Sequence, residues 1–268
     1  MKKIAVVYLC RFGNPPQASR AFLKSLRRFR AGMEFDLVYL LKGFPENRTD
    51  PALSRMRSGL PCAVEEIKVS DEFFMINALL EGAAQISHDS ILPLGSWSRM
   101  LADDWLASFV SAFDRIPGCV VAGATGSYES LDDATPFPNV HIRTTGFLIN
   151  RETFLGLERG PLRTKFDNNY FEAGPNGMTR QILAQGGQPV VVGKGGQCWL
   201  QPDWPHSRTF RSAQQENLLI EDNQTYRYEA RNFKERRCLT KAAWNDESLA
   251  QPGGLGRRLW YLFRRRPR

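Results

Sequence analysis

The sequence predicts an α/β fold, a mainly parallel central sheet with helices on both faces, and three observations predict it. The apolar run Ile4–Leu9 passes through the turn-forming Gly13-Asn14-Pro15-Pro16 into the helically spaced Phe22, Leu23, Leu26 and Phe29. The same strand-to-helix alternation recurs through the first half of the chain, and strands separated by helices pair in parallel. Finally, no run approaches the roughly 20 apolar residues that a bilayer span needs.

Taken in order, Ile4–Leu9 is the first strand, because its apolar residues are continuous and largely β-branched. The preceding lysines and the interruption at Arg11, without a small-residue cleavage site, make this segment a buried strand rather than a leader peptide. Phe35–Leu41 and Ala63–Val69 repeat the strand signal, and Phe73–Ala84 carries its apolar residues on one helical face. Ile91–Leu94 is a short fourth strand, Trp105–Phe113 a helix, and Cys119–Ala122 a fifth strand after the Pro117-Gly118 turn. The second half is mixed. Gly126–Asn139 reads as a loop, His141–Asn150 as one strand, Asn176–Gln185 as a helix ended by Gly186-Gly187, and Gln188–Val192 as another strand. Trp199–Arg211 is a proline-broken aromatic loop, and Gln214–Trp244 is charged and helical in part. The glycine- and proline-bearing Gln251–Gly256 is a linker, so residues 1–250 form one domain and 251–268 a linker and tail.

The 268 residues carry a net charge of +8, which favours anionic partners. Six arginines fall in the last twelve residues, RRLWYLFRRRPR, around Leu259, Trp260, Tyr261, Leu262 and Phe263. Arg257–Arg268 therefore reads as a basic amphipathic segment for a membrane surface, with a plain solvated tail as the alternative. The five cysteines are scattered and form no Cys-x-x-Cys pair, which disfavours a zinc site or disulfide framework and points to a reducing cytoplasmic compartment. The three histidines have no ligand spacing. Gly193–Gly196 lacks the P-loop spacing, and Gly123–Ser127 lacks the dinucleotide fingerprint. No nucleic-acid recognition module is present, and nucleic acid is not expected as a partner.

Ligands of open parallel sheets bind beyond the carboxyl ends of the strands, which directs attention to the loops after Leu9, Leu41, Val69 and Leu94. In Ile91–Trp105, ILPLGSWSRMLADDW, an apolar strand ends in a small polar loop and restarts as a helix behind a double aspartate. Ser96 and Ser98 are hydroxyl donors suited to phosphate, Trp97 is an aromatic face, and Arg99 is a phosphate-matching cation. Asp103 and Asp104 read as a helix cap, with metal ligation the lesser reading, since adjacent side chains diverge. Arg11, Lys42 and Asp71 are further candidates at the strand ends. In Trp199–Arg211, the combination of Trp204, His206 and Arg208 is one that sugar sites use, an aromatic face beside planar polar groups.

In order and spacing, these segments resemble the GT-A-type nucleotide-diphospho-sugar glycosyltransferases, close to the family-2 enzymes. The matching segments are IAVVYL, FDLVYLLKG, LGSWSRMLADDWL, CVVAGATGS, HIRTTGFLINRETF and FEAGPNGMTRQILAQGG, spanning roughly residues 3 to 195. The resemblance implies a GT-A-like, Rossmann-like fold with a mixed acceptor-side half. It also implies transfer of a sugar from a nucleotide-diphospho-sugar donor to a glycan or lipid-linked acceptor, as in polysaccharide or cell-surface glycan synthesis. Arg11, Lys42, Asp71, Ser96, Trp97, Ser98 and Arg99 then fall on the donor side, and Arg143, Thr145, Arg180, Trp204, His206 and Arg208 on the acceptor side. Glu172, read as lying in an irregular segment before a helix, is the candidate catalytic base. A peripheral location on the cytoplasmic side of a membrane goes with the tail.

Three positions depart from the family pattern. The Asp-x-Asp loop that holds Mg²⁺ or Mn²⁺ is represented by Gly95, Ser96 and Trp97, the acidic residue after the second strand by the Leu41–Phe44 turn, and the acidic pair near the base by Glu172 followed by Ala173-Gly174. A divalent cation is thus implied by the resemblance and by no ligand set in the residues. The alternative expectation is a GT-A-like protein without catalysis that binds a nucleotide sugar, a glycan or a partner protein.

Overall fold

The computed structural model describes residues 3–252, so the tail expected at Arg257–Arg268 and most of the linker lie outside the described residues. The first half is built from β1 (Ile4–Arg11), α1 (Gln17–Arg28), β2 (Asp36–Lys42), α2 (Pro51–Met56), β3 (Ala63–Val69), α3 (Met75–Ala84) and β4 (Ser90–Leu94). β5 (Arg99–Met100), α4 (Trp105–Arg115), β6 (Cys119–Gly123), β7 (Gly126–Ser127), β8 (His141–Ile142) and β9 (Phe147–Asn150) follow. Then come α5 (Arg151–Gly156), α6 (Lys165–Ala173), α7 (Met178–Ala184), β10 (Gln188–Val192), β11 (Cys198–Trp199), β12 (Ile220–Glu221), α8 (Asn223–Ala230) and α9 (Phe233–Trp244).

The main sheet has eight strands in the order β11-β10-β6-β9-β4-β1-β2-β3. β3, β2, β1 and β4 are mutually parallel, β9 runs against its neighbours β4 and β6, and β10 is parallel to β6. Alternation along β1 divides the core in two, because successive side chains point to opposite faces. Val6 and Tyr8 pack with Phe22, Leu23 and Leu26 of α1 and with Trp105 and Phe109 of α4. Val7 and Leu9 pack with Ile76 and Leu79 of α3, Phe171 of α6, and Met178 and Ile182 of α7. The Tyr8 and Phe22 rings stack at 3.7 Å between centroids. Among the described residues, no helix is long and apolar enough to cross a membrane.

Three expectations change. His141–Asn150 is two strands, not one. β8 pairs with β7, the chain breaks at Arg143–Gly146, and β9 enters the main sheet between β4 and β6. Gly146 permits the crossing, since a Cβ there would stand 2.9 Å from Leu94 and 3.0 Å from Ile220. Glu172 lies in the last turn of α6, a helix started by a capping box in which Thr164 Oγ1 accepts from Asp167 N–H (3.1 Å) and Asp167 Oδ2 accepts from Thr164 N–H (2.7 Å). Asp103 and Asp104 form neither a side-chain cap nor a metal pair. Asp104 begins α4 at φ 56° without a capping bond, and Asp103 Oδ1 accepts from Arg30 N–H at 2.7 Å. The reason is the path of the chain: after Met100 bonds Ser25 Oγ it descends beside α1 to Arg30, away from the loop after β4.

Candidate functional site

The carboxyl ends of β1, β2 and β3 bring Arg11, Lys42 and Asp71 together. Arg11 and Lys42 are the last residues of their strands, so the parallel register Arg11↔Lys42 sets them side by side. Asp71 joins them from the turn after β3. Gly43, at φ 71°, lets it close in, because a Cβ there would lie 2.9 Å from Asp71 Cβ. Arg11 donates to both Asp71 oxygens (3.0 and 3.1 Å), and the Lys42 ammonium donates to Oδ1. The Lys42 side chain is 4 % exposed, whereas Arg11 and Asp71 are 53 % and 43 % exposed. The hydrogen bond from Arg11 does most to hold the Asp71 carboxyl below its ordinary range; burial pushes it up, and Lys42 helps to outweigh that push. Two cations on one carboxylate leave an excess of +1, and the neighbouring Phe12 and Phe44 rings meet edge to face at 5.2 Å.

The loop after β4 is held from three sides. Tyr8 donates its hydroxyl to Ser96 O (2.8 Å), and Ser98 Oγ donates to Thr145 O (3.1 Å). β5 pairs with β12, and Arg99 is ion-paired with Glu221. Burial raises the Glu221 carboxyl above its ordinary value, with Arg99 opposing the rise. Arg99 and Ser98 are therefore engaged within the fold, while Trp97 and Ser96 are partly exposed. The residues present do not fit a divalent cation here. Gly95–Ser98 offer no carboxylate, and no group of three or more His, Cys, Asp or Glu able to hold a metal occurs among the described residues.

Beside the loop, Thr145 is buried and donates to Asp222 Oδ2 (2.8 Å) while accepting from Thr125 Oγ1 (3.0 Å). Asp222 Oδ1 caps α8 through Gln224 N–H and Thr225 N–H. Glu172 reaches the same region from α6. Its Oε2 accepts from Thr144 N–H (2.6 Å) and from the Thr144 hydroxyl, and its Oε1 faces the Arg143 guanidinium at 3.7 Å. Burial pushes the Glu172 carboxyl up, but Arg143, His141 and the Thr144 bonds outweigh it and hold it below the ordinary range. Burial also lowers the His141 imidazole, whose Nδ1 lies 2.7 Å from Asn139 O. Arg143 lies over the Phe210 ring at 4.3 Å and Arg211 over the same ring at 4.8 Å, and Arg211 also bonds both oxygens of Glu129. Sequence reasoning missed Thr144, Phe210, Arg211, Glu129 and Asp222. Only the Asp222–Thr225 capping pattern carried a local signal.

The remaining acceptor-side candidates do not converge on this cluster. Arg180 is exposed and bonds Asn139 Oδ1 at 3.2 Å. Trp204 is fully buried, packs its ring against Gly126 and donates to Trp199 O (3.0 Å), so its faces are closed to a sugar. His206 is exposed on the 3-10 turn Gln201–Ser207, and Arg208 is exposed and paired with Glu216 at 2.9 Å.

No protein-family model matches the chain, and neither does any curated protein sequence. Solved structures do match in fold. A mannosyltransferase from Pyrobaculum calidifontis, in complex with GDP-Man and Mn²⁺, aligns with a TM-score of 0.53 at 13% identity over 77% of this chain, which spans 60% of that enzyme's length. S. aureus TarS 1–349 aligns at 0.44 and 12% identity over 62% of this chain and 52% of that one. Mouse xyloside xylosyltransferase 1 aligns at 0.41 and 15% identity over 69% and 81%. The first of these matches carries the conclusion: the fold is GT-A-like, a mixed α/β sheet of mostly parallel strands flanked by helices.

Proposed function

We propose that the protein is a glycosyltransferase that moves a sugar from a nucleotide-diphospho-sugar to a hydroxyl of a glycan or lipid-linked acceptor, as in polysaccharide or cell-surface glycan synthesis. The observation that carries this reading is the convergence of Arg11, Lys42 and Asp71 at the carboxyl ends of three parallel strands on a GT-A-like sheet. Their excess positive charge suits a diphosphate, and the Phe12–Phe44 pair suits the flat base. In the transfer, the bond from the anomeric carbon to the diphosphate breaks and a bond from that carbon to the acceptor oxygen forms. The acceptor proton goes to a carboxylate. Glu172 fits this role through Oε1, which accepts no hydrogen bond among the described residues, while Thr144 fixes Oε2. Arg11 and Lys42 supply charge to the departing diphosphate, so no step is routed through a metal. The protein acts at the cytoplasmic side of a membrane, with Arg257–Arg268 as a contact.

A second reading, a GT-A-like binding protein without catalysis, is favoured by the loop Gly95–Ser98, which lacks carboxylates, and by the lowered proton affinity of Glu172. Incubation with UDP-, GDP- and dTDP-sugars and a panel of hydroxyl acceptors separates the two. Acceptor-dependent release of nucleoside diphosphate, reduced 10²- to 10⁴-fold in Glu172→Gln, supports transfer through this residue. Donor binding without release supports the second reading.

A further inference from the structure

The exposed face of α1 carries Arg20, Lys24, Arg27 and Arg28, a spacing of four, three and one that lines them along one side of the helix. Between α1 and α2 lies an open groove of about 460 Å³ lined by Lys24, Arg27, Arg28 and Met56, with Arg55 exposed on α2 nearby. Among the described residues, none of Arg20, Lys24, Arg27, Arg28 and Arg55 enters an ion pair, and what sets them apart from other unpaired exposed arginines such as Arg48 and Arg159 is that four of them share one helix face. Arg27 and Arg28 in the last turn of α1 and Arg55 in the last turn of α2 favour the helix macrodipoles, which accounts for three of the cations and leaves Arg20 and Lys24 unexplained.

We propose that this face of α1 and α2 is a docking surface for an anionic bilayer, with lipid phosphates seated along the groove. From Arg20 to Arg28 the cations extend about 12 Å along the helix, at 1.5 Å per residue. They form a line that meets many headgroups, not a cup that closes on one free phosphate. The lining holds no aromatic ring on which a base could stack, which argues against a nucleic-acid strand. The Met56 side chain adds an apolar contact suited to the headgroup–acyl boundary. The surface is separate from Arg11, Lys42 and Asp71, and the inference holds whether or not the protein transfers a sugar.

The test uses the full chain and its tail, co-sedimented at low and high salt with vesicles of phosphatidylcholine alone or mixed with phosphatidylglycerol. The expected result is salt-sensitive binding to the mixed vesicles only. The combined variant K24Q/R27Q/R28Q, with its tail intact, is expected to bind about fivefold more weakly per charge lost, roughly a hundredfold in all. Its melting temperature checks that it folds, and the single variant K24Q, expected to lose about fivefold, serves if the triple does not. Equal binding by parent and folded variants assigns all the attraction to the tail and overturns the proposal. So does parental binding to neutral vesicles alone, or to none. Saturable binding of inorganic phosphate, or of an oligonucleotide in preference to vesicles, lost in the same variants, replaces the bilayer with that ligand.

Discussion

Replacing Glu172 with glutamine measures what this carboxylate does for the fold. The carboxylate is 14 % exposed, takes two hydrogen bonds from Thr144 and faces Arg143 at 3.7 Å. The amide retains an oxygen for Thr144 but removes the charge opposite a guanidinium that is 13 % exposed and whose Nε–H has no partner among the described residues. Hydrogen bonds to a charged group contribute about 1.5–3 kcal/mol, and breaking a buried ion pair costs about 3–5 kcal/mol. Because the pair is separated by 3.7 Å and is not directly hydrogen-bonded, the sum falls near the lower figures, about 3 kcal/mol. For a chain of this size that is a fall of about 6–12 °C in melting temperature at neutral pH. The pH dependence has a definite sign. The folded pKa of Glu172 is lowered, so its stabilisation is present above the ordinary carboxylate value of 4.5 and is lost as pH falls through the folded pKa. The parent and Glu172→Gln curves, followed by circular dichroism, therefore converge in acid. A variant that melts within about 1 °C of the parent at neutral pH, or above it, refutes this assignment of the Thr144–Glu172–Arg143 contacts.

Phe22→Ala removes the ring stacked on Tyr8 and is expected to cost about 3–5 kcal/mol in urea unfolding. Trp204→Phe loses the bond to Trp199 O and some core volume, about 1–3 kcal/mol, and leaves donor affinity unchanged by calorimetry. Because burial depresses the His141 pKa, the neutral ring contributes stability above its ordinary value of 6.5 that declines as pH falls below it. A melting-temperature profile should show this limb, and His141→Gln should remove it. Arg11→Ala, at a half-exposed position, is expected to weaken donor binding roughly 5- to 20-fold with little change in melting temperature.

Most of the first half of the fold was legible because its strands and helices have opposed periodicities, clear in Ile4–Leu9 against Phe22–Phe29, whereas α2 and β5 are too short to show a period. The second half was not, because its boundaries depend on tertiary contacts. HIRTTGFLIN reads as a continuous strand, yet Thr179 takes the Ile142 N–H and Gly146 passes under Leu94, which splits it. α6 was hidden by the two asparagines of KFDNNYFEA, although Thr164 and Asp167 spelled out its cap. That Arg11, Lys42 and Asp71 lie close together was legible from their positions at and just after the ends of neighbouring strands. Arg211 and Glu129 are 82 positions apart, and no local pattern reports such a pairing. Trp204 looked like a sugar platform because the sequence does not distinguish a ring facing solvent from one that fills a core.

The most direct test of the central claim is calorimetric titration of the protein with UDP-, GDP- and dTDP-sugars, each in Mn²⁺ and in EDTA, repeated with Arg11→Ala. The account predicts that one donor binds, that binding survives EDTA, and that Arg11→Ala weakens it. Absence of binding by every donor contradicts the assignment of the strand-end cluster to a nucleotide sugar, and binding that requires Mn²⁺ contradicts a diphosphate site built from cations alone.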